Sequence, residues 1–192
     1  QKRLVVAVGR LVPRKGFDKT IAAWPAIHAA HPDAQLVIVG DGPQRAELQA
    51  LADASGVADS ITLTGSVSDA ELLAAYRSAS LFVMPNRTMP DGDTEGFGLV
   101  FLEANACGRA VIGGRAGGAV EAVRHGESGL LVNGEVVDEI AAAIMNVLGD
   151  EALRGRLEAG ALRHAQANSW SNRVLIFQDL CKKLQMTGVH HV

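Results

Sequence analysis

A chain of 192 residues, 48% of them hydrophobic and with a formal net charge of −3, is long enough for one sizeable domain with its own core. That balance excludes a disordered chain and a basic nucleic-acid binder, and an aromatic content of 4% leaves little for base-stacking platforms. No apolar run reaches the roughly 18 residues that a membrane-spanning helix needs.

The opening QKRLVVAV lacks the apolar core and cleavage site of a signal peptide. It has no initiator Met and runs almost directly into a strand pattern, so the chain is expected to be a piece of a longer one. Residues 3–9 (RLVVAVG) are an apolar, β-branched run closed by glycine, the signature of a buried strand. Residues 16–32 place Phe17, Ile21, Trp24 and Ile27 at helical spacing. A second strand, 34–42, ends in glycines, and Pro43 suits the first position of a helix running to Gly56. Residues 60–65 predict a third strand. Residues 68–79 predict a helix opened by Ser68 with Glu71 three residues on, a capping box. A fourth strand, 80–85, leads through the loop NRTMPDGDT to TEGFGLVFLEANACG (94–108), a helix pattern with no polar face, expected to be buried on all sides. Strands at 109–114 and 128–133 follow, then helical patterns at 135–149, 151–167 and 171–184. Cys107 and Cys181 stand far apart with no CxxC and read as reduced thiols in a cytoplasmic protein. The ending GVHHV carries no weight.

This alternation predicts an α/β domain with a doubly wound, parallel, Rossmann-like sheet, whose ligands bind beyond the carboxyl ends of the strands. Those ends hold Gly9-Arg10, Gly40-Asp41-Gly42, Gly65-Ser66-Val67, the segment from Pro85 and Gly113-Gly114. Arg10, Arg14 and Lys15 bring three positive charges to that rim, where they would neutralise a diphosphate. The plain alternative is solvated loop charges. Lys15 is expected to point to the site and Arg14 to face solvent.

Two glutamates flank the start of the apolar helix. A carboxylate among apolar residues is costly unless something satisfies it, and Glu103 lies one to two turns into that pattern. Glu95 stands at its mouth, where N–H groups at Gly96, Phe97 and Gly98 would favour an anion. A ligand with a negative part at the mouth and hydroxyls further along accounts for both, and a nucleotide is such a ligand. The competing readings are a buried salt bridge from Glu103 to an arginine, and Glu95 as a first-turn acid worth about 0.3–1 kcal/mol. IGGRAGGAVEAV (112–123) is not GxGxxG, and GxxxxGK[ST] and GxSxG are absent. The six histidines, at 28, 31, 125, 164, 190 and 191, show no metal spacing, so no metal and no NAD are expected.

The blocks GRLVPRKG, LVIVGDGP, LTGSVSDAEL, EGFGLVFLEANACGRAVI and GGAVEAVRHGESGLLV, in this order, resemble the C-terminal, donor-binding domain of retaining glycosyltransferases with the GT-B fold and an E-x7-E motif. Here the motif is Glu95 to Glu103, and the likeness runs over nearly all of residues 3–184. The resemblance implies that Glu95 faces the transferred sugar, with Arg10 and Lys15 on the diphosphate, as the catalytic group. It implies that Gly96, Phe97, Gly98 and Leu99 meet phosphates and sugar. Glu103 would hold the ribose, the backbone of Val67 the base edge, and Gly9 and Gly42 turns beside the nucleotide. The implied donor is a UDP- or GDP-linked sugar, transferred with retention and without a metal or other cofactor. Residues 1–170 would be the nucleotide-sugar-binding domain. Residues 171–192 would be a helix crossing back to an N-terminal acceptor domain missing from this chain. Such a fragment is expected to bind donor without turnover, with any membrane association left to the missing half.

Asn86-Arg87 replaces a small residue usual in the family, Asn105 an apolar one, and GGAVE lacks a common Pro. Two other readings stay open: a nucleotide-sugar binding module without transfer, and a non-hydrolysing sugar-nucleotide epimerase.

Overall fold

The computed structural model describes residues 3–186; Gln1, Lys2 and the ending with His190 and His191 lie outside the described residues. Six strands form one sheet: β1 (Arg3–Val8), β2 (Ala34–Val39), β3 (Ile61–Gly65), β4 (Leu81–Met84), β5 (Val111–Gly114) and β6 (Gly129–Val132). Their order is β3-β2-β1-β4-β5-β6, and every neighbouring pair is parallel. The central strands have continuous buried runs, Val5–Val8 and Leu81–Met84, because both faces are covered. Edge strand β3 exposes Thr62 and Thr64, in alternation with Ile61 and Leu63.

The helices are α1 (Phe17–Ala30), α2 (Arg45–Ala54), α3 (Asp69–Ser78), α4 (Leu99–Ala106), α5 (Ala119–Ala122), α6 (Val137–Gly149), α7 (Glu151–Ala167) and α8 (Trp170–Met186). Right-handed crossovers with this strand order put α1 and α2 on one face and α3, α4 and α5 on the other. Accordingly α1 packs on α2 and α6, whereas α4 packs on α3, α5 and α7. Trp24, Phe17, Phe82 and Phe101 are fully buried, each contributing about 1.5–3 kcal/mol by leaving water. The Trp24 indole N–H donates to Ser60 Oγ at 2.8 Å, so its polar edge is satisfied.

The capping box is present: Ser68 Oγ accepts from the Glu71 amide, and Glu71 Oε2 accepts from the Ser68 amide at 2.8 Å. Two local expectations are corrected. Pro43 is not the first helical residue; it sits in a turn, closed by Arg45 N donating to Gly42 O at 3.1 Å, and α2 begins at Arg45. The apolar helix at 94–108 is shorter, starting at Leu99, and is not buried on all sides. Phe101, Ala104 and Asn105 face the core, but Leu99 is 54% exposed and Glu103 and Ala106 are exposed as well. Only one side of α4 meets the sheet. Its other side lines a groove beside α7 and the start of α8.

Chain direction along the sheet reverses between β1 and β4, neighbours reached from opposite sides. The loops after these two strands therefore diverge and leave a crevice at their carboxyl ends, the position where such sheets hold ligands.

Candidate functional site

After β1 the chain turns through Gly9 and Arg10 into a single 3-10 turn, Pro13–Lys15, closed by Gly16 at φ +74°. A Cβ on Gly16 would stand 2.1 Å from Pro85 O, so only glycine lets this turn press against the end of β4. That close approach turns Lys15 inward. Its stem lies over Gly9, and its Nζ donates to Glu95 Oε2 at 2.6 Å. Both side chains are about nine-tenths buried.

The loop after β4 is held from three sides. Asn86, fully buried, donates through Nδ2 to Ala116 O at 2.8 Å and accepts from Gly114 N at 3.0 Å. Arg87 Nη1 reaches both Asp18 carboxylate oxygens at 2.9 and 3.0 Å, and its Nε lies 3.4 Å from Glu135. The Arg87 amide donates to Arg14 O, tying this loop to the lysine turn. The unusual Asn86-Arg87 pair thus braces the loop. Arg14, expected in solvent, instead pairs with Asp93 at 2.9 Å, because the loop folds back over the turn that carries it.

Gly117 and Gly118 seat the segment before α4. A Cβ on Gly118 would fall 2.0 Å from Gly96 O, and Gly118 N donates to Glu95 O at 2.8 Å. Gly98 caps α4 in the left-handed region, at φ +84°. Among the described residues, the amides of Gly96, Phe97, Gly98 and Leu99 donate to no protein acceptor. They remain available at the mouth of the helix, beside the Lys15–Glu95 pair.

Glu103, one turn into α4, is exposed rather than sunken, and Oε2 accepts from the Tyr76 hydroxyl at 2.8 Å. Among the described residues no arginine stands within ion-pair distance of it. Burial, and after it the Glu103 charge, push the Tyr76 phenol far above the usual tyrosine range, so it acts as a donor.

Gly9, Arg10 and Val67 share a cavity of about 290 Å³ with Gly40, Ser66 and Leu72. Phe97, Leu99 and Glu103 line a larger groove of about 860 Å³ together with Trp170 and Arg173. Helix α3 links the two, since Leu72 lines the first and Tyr76, one turn on, bonds Glu103. The Arg10 side chain is exposed and makes no hydrogen bond or ion pair among the described residues. Gly42 does not line the cavity. It packs on the Leu11 backbone, where a Cβ would fall 2.6 Å from Leu11 O. Sequence reasoning missed Tyr76, Asn86, Arg87 and the Gly117–Gly118 contact. The glycine pair lies in the run IGGRAGGAVEAV, just past the Gly113-Gly114 expected on the rim, but no local signal names its partner.

A family model for glycosyl transferases group 1 matches residues 1–164. The chain is 48% identical over 151 residues to the GDP-mannose-dependent alpha-(1-6)-phosphatidylinositol monomannoside mannosyltransferase of Mycobacterium tuberculosis, a match covering 78% of this chain and 39% of that protein. Among solved structures, sucrose-phosphate synthase from Thermosynechococcus elongatus superposes with a TM-score of 0.79 at 33% identity, covering 98% of this chain and 47% of that one. The C-terminal domain of a glycosyl transferase group 1 family protein from Francisella tularensis gives a TM-score of 0.75 at 26% identity, covering 86% of this chain and 85% of that domain. The chain spans less than half the length of the curated relatives it matches.

Proposed function

Because this chain belongs to the glycosyl transferases group 1 family, we propose that it is the donor-binding half of a retaining glycosyltransferase using a nucleoside-diphosphate sugar. GDP-mannose is the donor we favour, on the 48% identity to a GDP-mannose-dependent relative. The observation that carries the reading is the Lys15–Glu95 pair beside the unclaimed amides of Gly96–Leu99, at the crevice between β1 and β4.

In this reading the diphosphate takes those amides together with Arg10 and Lys15. The bond between the anomeric carbon and the diphosphate oxygen breaks, a bond from that carbon to an acceptor hydroxyl oxygen forms, and the hydroxyl proton is released. The departing diphosphate carries more charge than it did in the donor, so fixed cations and amides stabilise it most as it leaves. Glu95, paired with Lys15, faces the transferred sugar. Glu103 takes the ribose hydroxyls, and the backbone at Val67 meets the base.

Helix α8 supports the two-part organisation. Trp170 is 80% exposed and Phe177 65%, and Leu175, Ile176 and Leu180 are exposed too, an apolar surface that a solvated helix would not carry. We assign that surface to the acceptor domain outside this chain, with residues 1–170 as the donor domain. The fragment then binds donor without turning it over. Thermal-shift measurements with GDP, UDP and ADP, each with and without the sugar, test the reading, because a ligand of the native fold alone raises its stability. Stabilisation by GDP and GDP-mannose above the others is expected, and no stabilisation by any of them refutes it. Steady transfer by the 192-residue chain alone would refute the inactivity of the fragment.

A further inference from the structure

We propose that Tyr76 is a positioning residue for Glu103, holding one carboxylate oxygen so that the other is presented to the ribose hydroxyls of the donor. This rests on the donor-site reading above.

Tyr76 is the only tyrosine in the chain and is 3% exposed, whereas the carboxylate it binds faces solvent. It is therefore too deep to meet a ligand itself and can act only through Glu103. Its ring lies 5.9 Å from that of Phe82, which meets Phe101 edge-on at 5.7 Å. Phe101 is on α4, two residues before Glu103. The hydroxyl is thus fixed by a row of aromatic contacts to the same helix that carries its acceptor.

An exposed glutamate without such a donor samples many carboxylate orientations, and binding must then select one at an entropic cost. A phenol donating to a carboxylate makes a strong, charge-assisted bond that removes this freedom beforehand. Each carboxylate oxygen accepts about two bonds. The phenol takes one site on Oε2, leaving Oε1 and the second site of Oε2 for vicinal hydroxyls. Leu72, one turn earlier on α3, lines the cavity with Val67 and Arg10, so one helix sets both the Glu103 carboxylate and the wall of that cavity. Discrimination for ribose over sugars lacking those hydroxyls is then a property of the Tyr76–Glu103 pair.

The test measures affinities by calorimetry for GDP and 2′,3′-dideoxy-GDP, with UDP and its dideoxy form in parallel, on wild type, Tyr76→Phe, Glu103→Gln and the double variant. Wild type is expected to prefer the ribose form by about tenfold or more. In Tyr76→Phe that preference falls by about threefold or more while the dideoxy affinity stays within about twofold, and in the Glu103→Gln background the tyrosine change adds nothing. Equal weakening of both nucleotides, or an unchanged preference, overturns the proposal. A wild type that binds none of the four nucleotides overturns the donor site and the proposal together. A second measurement needs no variant: with tyrosine labelled only at the ζ carbon, which bears the hydroxyl, the chain gives one tyrosine signal. That signal is expected to move on saturation with the ribose nucleotide and to stay with the dideoxy form. Equal movement with both overturns the proposal.

Discussion

Lys15 Nζ and Glu95 Oε2 stand 2.6 Å apart across 80 residues of sequence, joining the turn after β1 to the loop after β4. The pair is largely shielded from water, so each charge depends on the other until a ligand arrives. In the proposed donor site, an anion entering beside it would compete for the lysine and leave Glu95 to face whatever the anion carries.

Replacing Lys15 by alanine separates binding from stability. The Kd for GDP is expected to rise about tenfold or more and that for GMP by less than about threefold, because the lysine is proposed to address the second phosphate. Denaturant unfolding is expected to show a loss of about 1–3 kcal/mol, since Glu95 remains near-buried and unpaired. Equal weakening of GDP and GMP would contradict the assigned role.

Arg87→Met removes the brace between the β4 loop and α1. Asp18 loses both of its bonds to the guanidinium, and the expected destabilisation is about 1–3 kcal/mol, read from the urea midpoint at unchanged m-value. Arg87→Lys is expected to recover less than half of that, because one ammonium cannot hold Asp18 and Glu135 together as the planar guanidinium does through Nη1 and Nε. Full recovery by lysine would show that charge alone matters here.

Gly118→Ala tests the seat of the Glu95–Gly96 segment. The new Cβ would fall 2.0 Å from Gly96 O, so the segment must move, at a cost of about 1–3 kcal/mol. GDP affinity is expected to fall as well, because the displaced amides are those proposed to meet phosphate. Gly126→Ala is the contrasting control: unlike Gly118 that glycine has a positive φ, and nothing lies within 4 Å of its added Cβ, so only backbone strain is expected and GDP affinity should hold.

His164 makes stability depend on pH. Its Nε2 donates to Ala122 O at 3.0 Å, and its Nδ1 accepts from Asn168 Nδ2 at 3.2 Å. Burial is the main cause that lowers its pKa; the Ala122 carbonyl and Glu127 oppose this, and Arg124 and Arg173 add to it. A histidine whose folded pKa lies below its unfolded value favours the neutral form. Its contribution is present above the unfolded value, near 6.5, and is lost as pH falls through the folded one. The melting temperature of wild type is therefore expected to drop below about pH 6.5 more steeply than that of His164→Gln. Parallel curves would remove His164 from the account.

Much of the fold was legible because burial on both faces writes itself into short runs. RLVVAV read as a buried strand and LFVM as a strand, and Ser68 with Glu71 announced the start of α3. The rim was legible too, since glycines closed one strand after another. The candidate site was legible in part: Arg10, Lys15, Glu95 and Glu103 were named, but not the pairing of Lys15 with Glu95 or of Tyr76 with Glu103. The apolar pattern of α4 misled, because periodicity tells how greasy each side of a helix is, not whether a neighbour covers it. Leu99 and Glu103 proved to face a groove.

Local pattern along the chain was therefore enough for most of the elements, for a parallel sheet and for the rim where a ligand would sit. Each of those follows from contacts within a few residues or from the handedness of crossovers. The pairings of Lys15 with Glu95, Tyr76 with Glu103, Arg87 with Asp18 and Gly118 with Gly96 belong to the folded chain alone. They join segments 22 to 80 residues apart, and their geometry is set by where the strand order reverses, which no single segment encodes.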